Sequence, residues 1–124
     1  REHRVPLTQP ALDLLGSLPR LGHLLLPGLR LDKPISNMTM LQLLRRMGLG
    51  HYTVHGFRSS FSDWAAERTN FPRAIVEQAL AHLVGSDVER AYRRSDVLEK
   101  RRELMDTWAT YLAGPTADPT AWRG

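Results

Sequence analysis

The chain has 124 residues, 42% of them apolar, which is enough for one compact core and leaves no material for a second domain. It carries 17 Lys and Arg against 13 Asp and Glu, a formal charge of +4, and 15 of those 17 are Arg, the two lysines being Lys33 and Lys100. Absent cysteine excludes disulfides, thiolate metal sites and a Cys nucleophile; no apolar run approaches the roughly 18 residues of a membrane span, and REHRVPL is no signal peptide, so a soluble cytoplasmic protein without membrane contact is expected.

In chain order, Arg1 to Leu7 alternates charged and apolar residues before and around Pro6, the pattern of a last hairpin strand whose mate would precede residue 1. Thr8 to Leu15 reads as a short helix, capped by Thr8 and closed at Gly16. His23 to Leu26 is an apolar run that fits a strand or a buried turn, and Pro27 to Pro34 is loop. From Ser36, Met38, Leu41, Leu44 and Met47 recur at helical spacing until Gly48. After a turn over Gly48 to Thr53, His55 to about Arg68 reads as a helix with Phe57, Phe61, Trp64 and Ala65 on one face. A further helix begins at Phe71-Pro72, turns Ile75, Val76, Ala79 and Leu80 inward and ends near His82. Val88 to Tyr92 fits one or two helical turns. Val97 to Leu112 is a long amphipathic helix with the stripe Val97, Leu98, Leu104, Met105, Trp108, Tyr111 and Leu112. Gly114 onward, GPTADPTAWRG, has turn formers and no period, and is read as a flexible tail over 114–124 behind a domain of 1–113.

The chemistry concentrates in HGFR. Positions three apart on a helix are neighbours, so His55 and Arg58 are expected to face the same space. Spacing alone leaves two readings open: a pair awaiting an anion, or a structural pair in which Arg58 caps loop carbonyls. His82 in ALAH, at a helix end, is by itself a cap favoured by the helix dipole. Tyr92 among charged residues is by itself an amphipathic surface residue. The Arg bias favours a polyanionic partner, because the guanidinium fork grips phosphate bidentately. Arg45-Arg46 and Arg93-Arg94 are candidate phosphate contacts or, equally, solvated helix faces. His51 and His55 at spacing four have no nearby acid, and no HExxH or DxD pattern occurs, so no metal and no cofactor is expected.

The ordered set HGFRSSFSDWAAE, VEQALAH and VERAYRRSDVLEKRRELMDTWATYL, behind REHRVPL and PISNMTMLQLLRRMG, resembles the tyrosine site-specific recombinases, and among them the prophage and genomic-island integrases. The resemblance covers about residues 1 to 112. It implies a mainly α fold, the helical C-terminal part of a recombinase catalytic domain, with one or two short strands near the N-terminus. It also implies metal-free phosphoryl transfer on double-stranded DNA attachment sites: Tyr92 as nucleophile giving a 3′-phosphotyrosyl link, Arg58 on a phosphate oxygen, His55 and His82 supporting the phosphate and the proton transfers. A free phenol has a pKa of about 10, so stripping its proton at neutral pH costs about 4 kcal/mol, which fixed cationic donors around the phosphate can offset. The covalent link retains the energy of the broken phosphodiester, so rejoining needs no ATP and no Gly-rich phosphate cradle.

Two departures bear on activity. The family's active site also uses an earlier Arg and a hairpin Lys, and neither can be placed; Lys33 in PGLRLDKPIS does not match. The chain, which opens on Arg and not Met, is therefore read as a fragment with four of six active-site positions, inactive alone. In related integrases the segment after the Tyr joins protomers, so the resemblance further implies a homo-oligomer, a tetramer on DNA, through the C-terminal helix. The competing reading is a helical DNA-binding or interaction module that keeps the fold without catalysis.

Overall fold

A computed structural model describes residues 3–82 and 97–114 of the chain. Five helices run through the described residues: α1 Gln9–Ser17, α2 Thr39–Arg46, α3 Gly56–Arg68, α4 Arg73–Ala79 and α5 Val97–Ala113. Mainly α is therefore the fold class, as the periodicity predicts. None of these helices is long and apolar enough to cross a membrane.

Local chemistry sets most boundaries. The Thr8 hydroxyl accepts from the Ala11 amide at 3.3 Å, occupying an otherwise orphan donor at the start of α1. α1 runs through Gly16 to Ser17, beyond the expected stop, and buries no residue. α2 ends at Gly48, whose φ of +75° lets its amide reach the Arg45 carbonyl at 3.1 Å while the Leu49 amide reaches Leu44 at 2.8 Å. That pair of bonds is a Schellman ending, which glycine enters without steric cost.

The core lies between α3, α4 and α5. Phe61, Trp64 and Ala65 of α3, Ile75 and Val76 of α4, Leu80 beyond it and Leu104 of α5 form one buried cluster, with Phe71, Ala79, Val97, Met105 and Trp108 packed against it. Ile75 and Leu104 are wholly enclosed. The Trp108 ring meets Phe61 edge-on at 5.3 Å between centroids and Trp64 at 4.9 Å, pairs worth about 0.5–1.5 kcal/mol each beyond area burial.

Three expectations fail. No strand forms among the described residues, where the only bridge pairs Pro27 with Pro34. Residues 3–8 run without regular structure, because alternation makes a segment able to pair but supplies no partner. Instead Pro6 is buried, and Arg101 of α5 donates from Nη2 to the Arg4 carbonyl at 2.6 Å, fastening this segment to the C-terminal helix. His23 to Leu26 forms bends with Leu25 and Leu26 exposed, neither strand nor buried turn. On α2 only Leu44 is buried, while Met38 and Met47 are exposed; Phe57, Tyr111 and Leu112 are likewise exposed, at the ends of helices whose middles carry the packing.

Candidate active site

Arg58 stands in the first turn of α3. That turn begins where the Thr53 hydroxyl and carbonyl accept from the Gly56 amide at 3.0 and 3.1 Å. A Cβ at residue 56 would sit 3.0 Å from the Thr53 hydroxyl, so the glycine of HGFR permits the close approach that starts the helix. From there the Arg58 guanidinium crosses to the end of α4. Its Nη2 donates to the Leu80 carbonyl and lies 3.1 Å from Nε2 of His82.

His82 is delivered by the way α4 stops. The Ala81 amide bonds the Gln78 carbonyl at 3.0 Å and the His82 amide bonds the Glu77 carbonyl at 2.9 Å, with Ala81 at φ +60°. This repeats the Schellman ending of α2, with alanine where Gly48 stands. The left-handed conformation at Ala81 folds His82 back over the last turn, where its Nδ1 meets Oε2 of Glu77. Oε1 of Glu77 faces Arg73 Nε at 3.7 Å. The histidine side chain is half exposed and the glutamate largely covered.

The hydrogen-bonding roles follow from the partners. A guanidinium only donates, so His82 Nε2 must accept from Arg58. The proton of the neutral ring is then on Nδ1, donated to the Glu77 carboxylate. A chain Glu77–His82–Arg58 thus runs from α4 to α3, with the open side of the histidine toward solvent.

Over 114 residues the chain is 40% identical to the prophage integrase IntA of Escherichia coli strain K12, covering 88% of this chain and 27% of that protein. To the integrase of Shigella phage Sf6 it is 33% identical over 117 residues, covering 89% and 30%. The chain is homologous to these integrases. A third such integrase, from Enterobacteria phage P4, is 34% identical over 119 residues, 90% of this chain and 27% of its own length. The chain thus spans less than a third of the length of the integrases it matches. No family model and no solved structure matches it.

Of the site residues expected from the integrase resemblance, Arg58 and His82 come together across 24 positions of sequence. His55 occupies the N-cap position of α3 in helical conformation, with no side-chain hydrogen bond capping the helix; its carbonyl accepts from the Arg58 amide at 3.0 Å. Arg58, expected to face the same space as His55, turns its guanidinium across to the α4 ending, where it meets the Leu80 carbonyl and His82. Arg45 and Arg46 are exposed in the last turn of α2, where cations complement the helix dipole. Tyr92, Arg93 and Arg94 lie outside the described residues, as do residues 115–124 of the expected tail.

Sequence reasoning missed two residues. Glu77 is five positions before His82, a spacing that faces nothing on a continuous helix but is closed by a Schellman ending, whose glycine signal is hidden here by Ala81. Arg101 sits in the charged run EKRRE, where nothing signals burial, yet it is buried, and burial lowers its pKa from the ordinary guanidinium value.

Proposed function

We propose that the chain is part of a tyrosine recombinase catalytic domain that cuts and rejoins double-stranded DNA at attachment sites. One observation carries the reading furthest: the arginine of HGFR and the histidine of ALAH, distant in sequence, meet at 3.1 Å, in a chain homologous to integrases. Two nitrogen functions that converge near solvent, one always cationic and one able to hold or give a proton, suit a phosphodiester.

In this reaction the Tyr92 hydroxyl oxygen attacks phosphorus, the bond from phosphorus to the 5′ oxygen breaks, and a 3′-phosphotyrosyl link forms. The phenolic proton leaves to a base and the departing oxygen takes up a proton to become a 5′-hydroxyl. Arg58 binds a non-bridging oxygen and opposes the charge that grows there in the transition state. His82 and His55 serve the phosphate and these proton transfers. Return attack by a 5′-hydroxyl restores the phosphodiester and frees Tyr92. Arg45, Arg46, Arg93 and Arg94 grip the DNA backbone, and protomers associate through α5, whose exposed Tyr111 and Leu112 lie at its end.

The bond from Arg58 to the Leu80 carbonyl favours a second reading, in which the arginine is a structural cap and the chain a DNA-binding module without catalysis. One assay separates them. The full-length protein is mixed with nicked DNA carrying its attachment site and resolved on a denaturing gel. A DNA-linked band that disappears with Tyr92→Phe supports the recombinase; DNA binding without any such band supports the module.

A further inference from the structure

Glu77 takes no part in making or breaking the phosphorus bonds, yet it holds His82 at two points. Its main-chain carbonyl accepts from the His82 amide at 2.9 Å, and its carboxylate oxygen Oε2 meets His82 Nδ1. The ring is therefore fixed by one residue, and its remaining nitrogen, Nε2, is aimed at the guanidinium of Arg58. Arg58 already favours the neutral ring with its proton on Nδ1, and the carboxylate supplies the acceptor that holds that proton when Arg58 leaves Nε2 and that keeps the ring from turning about its side-chain torsions.

We propose that Glu77 is a positioning residue for His82. It holds the imidazole in the form with the proton on Nδ1, so that Nε2 is the atom that accepts or returns a proton at the phosphate. When Nε2 takes up a proton, the carboxylate at Nδ1 balances the imidazolium, and Arg58 turns from Nε2 to the phosphate oxygens, because two donors cannot share that contact. No bond of Glu77 to DNA is involved. This role rests on the recombinase reading for its catalytic consequence, whereas the state of the ring does not depend on it.

The arrangement is distinguishable from a merely structural ion pair. Arg73 also faces Glu77, at 3.7 Å, on a largely exposed side chain, so Arg73→Gln removes an ion pair and leaves the histidine contact in place. Glu77→Gln preserves shape and the main-chain bond but replaces the carboxylate by an amide that can donate as well as accept. Glu77→Asp keeps the charge on a shorter stem.

The test uses the full-length protein, labelled with 15N at histidine. In the parent, in Arg73→Gln and in Arg58→Ala, where Glu77 alone remains to set the ring, the His82 nitrogens should report protonation at Nδ1; in Arg58→Ala combined with Glu77→Leu that preference should be lost. On nicked attachment-site DNA, Glu77→Gln should slow covalent adduct formation by about 10- to 100-fold, below the roughly 10²–10⁴ that a proton-transfer group itself supplies, because Glu77 acts only through His82. The dissociation constant for DNA should stay within about twofold, and Glu77→Asp should recover part of the rate. Loss of the Nδ1 preference in Arg58→Ala alone overturns the proposal, as does an adduct rate unchanged in Glu77→Gln. If the parent itself forms no adduct, the recombinase reading falls and takes the catalytic role of Glu77 with it, and the nitrogen signals still decide whether Glu77 sets the ring.

Discussion

Replacing Ala81 by glycine should stabilise the protein, and the amount can be worked from the backbone. Ala81 has φ +60°, the only positive φ at a non-glycine residue among the described residues. A left-handed conformation costs an L-residue roughly 1–2 kcal/mol, chiefly from Cβ against the following carbonyl. Glycine escapes that cost but surrenders roughly 0.5–1 kcal/mol more chain entropy on folding. The difference leaves about 0.5–1 kcal/mol in favour of Ala81→Gly. Ala81→Val should lose at least about 1 kcal/mol, since a β-branched side chain worsens the same clash. Urea unfolding followed by circular dichroism at fixed slope measures both. If Ala81→Gly lowers the midpoint while Ala81→Val leaves it unmoved, residue 81 is not left-handed and the Schellman placement of His82 is wrong.

Leu104 is fully enclosed and Leu29 fully exposed, so Leu104→Ala should cost about 2–5 kcal/mol in the same unfolding assay and Leu29→Ala less than about 0.5 kcal/mol. Arg58→Lys keeps the charge but loses the planar guanidinium, whose Nη2 reaches both Leu80 and His82 while its other nitrogens are left for phosphate; adduct formation by the full-length protein should fall by about 100-fold or more, against a modest change in DNA affinity. Arg45→Gln with Arg46→Gln should weaken binding equally for attachment-site and unrelated DNA and reduce the slope of log affinity against log salt by about 1 for each phosphate no longer neutralised.

Helix positions were legible because burial imposes a period. Phe61, Trp64 and Ala65, then Ile75, Val76 and Leu80, then Leu104 all lie in the core where their spacing puts them. The same period overreached at helix ends. Phe57 shares a face with Phe61, yet the packing partners of α3 cover it only from Phe61 onward; at the end of α5 Leu112 is exposed, and Tyr111, though half exposed, stacks on Trp108 and faces Trp64 of α3. REHRVPL misled for a different reason. Alternation records which residues could pair in a sheet, and the segment is held instead by Pro6 burial and by the side chain of Arg101, 97 positions away from Arg4, a contact no local pattern encodes.

At the site, residue types were legible and geometry was not. The resemblance implied a shared location for the Arg of HxxR and the later His, and the side chains of Arg58 and His82 lie 3.1 Å apart. Helical spacing placed His55 and Arg58 in one space and left open whether Arg58 caps a carbonyl, without saying which one. A long guanidinium can leave its own helix for the open end of another, where a carbonyl and a histidine await a donor. Glu77 escaped notice because its approach to His82 depends on one left-handed residue, and alanine gives no warning of that conformation.

The central claim is that Tyr92 becomes covalently joined to DNA in a site built on Arg58 and His82. The most direct measurement traps the full-length protein on nicked attachment-site DNA, digests the protein and locates the nucleotide-bearing peptide by mass spectrometry. The account predicts a 3′-phosphoryl link on Tyr92, in the peptide containing AYRRSD, and its loss with Arg58→Ala. A link on any other residue, or a Tyr92 link formed at the parental rate without Arg58, contradicts it.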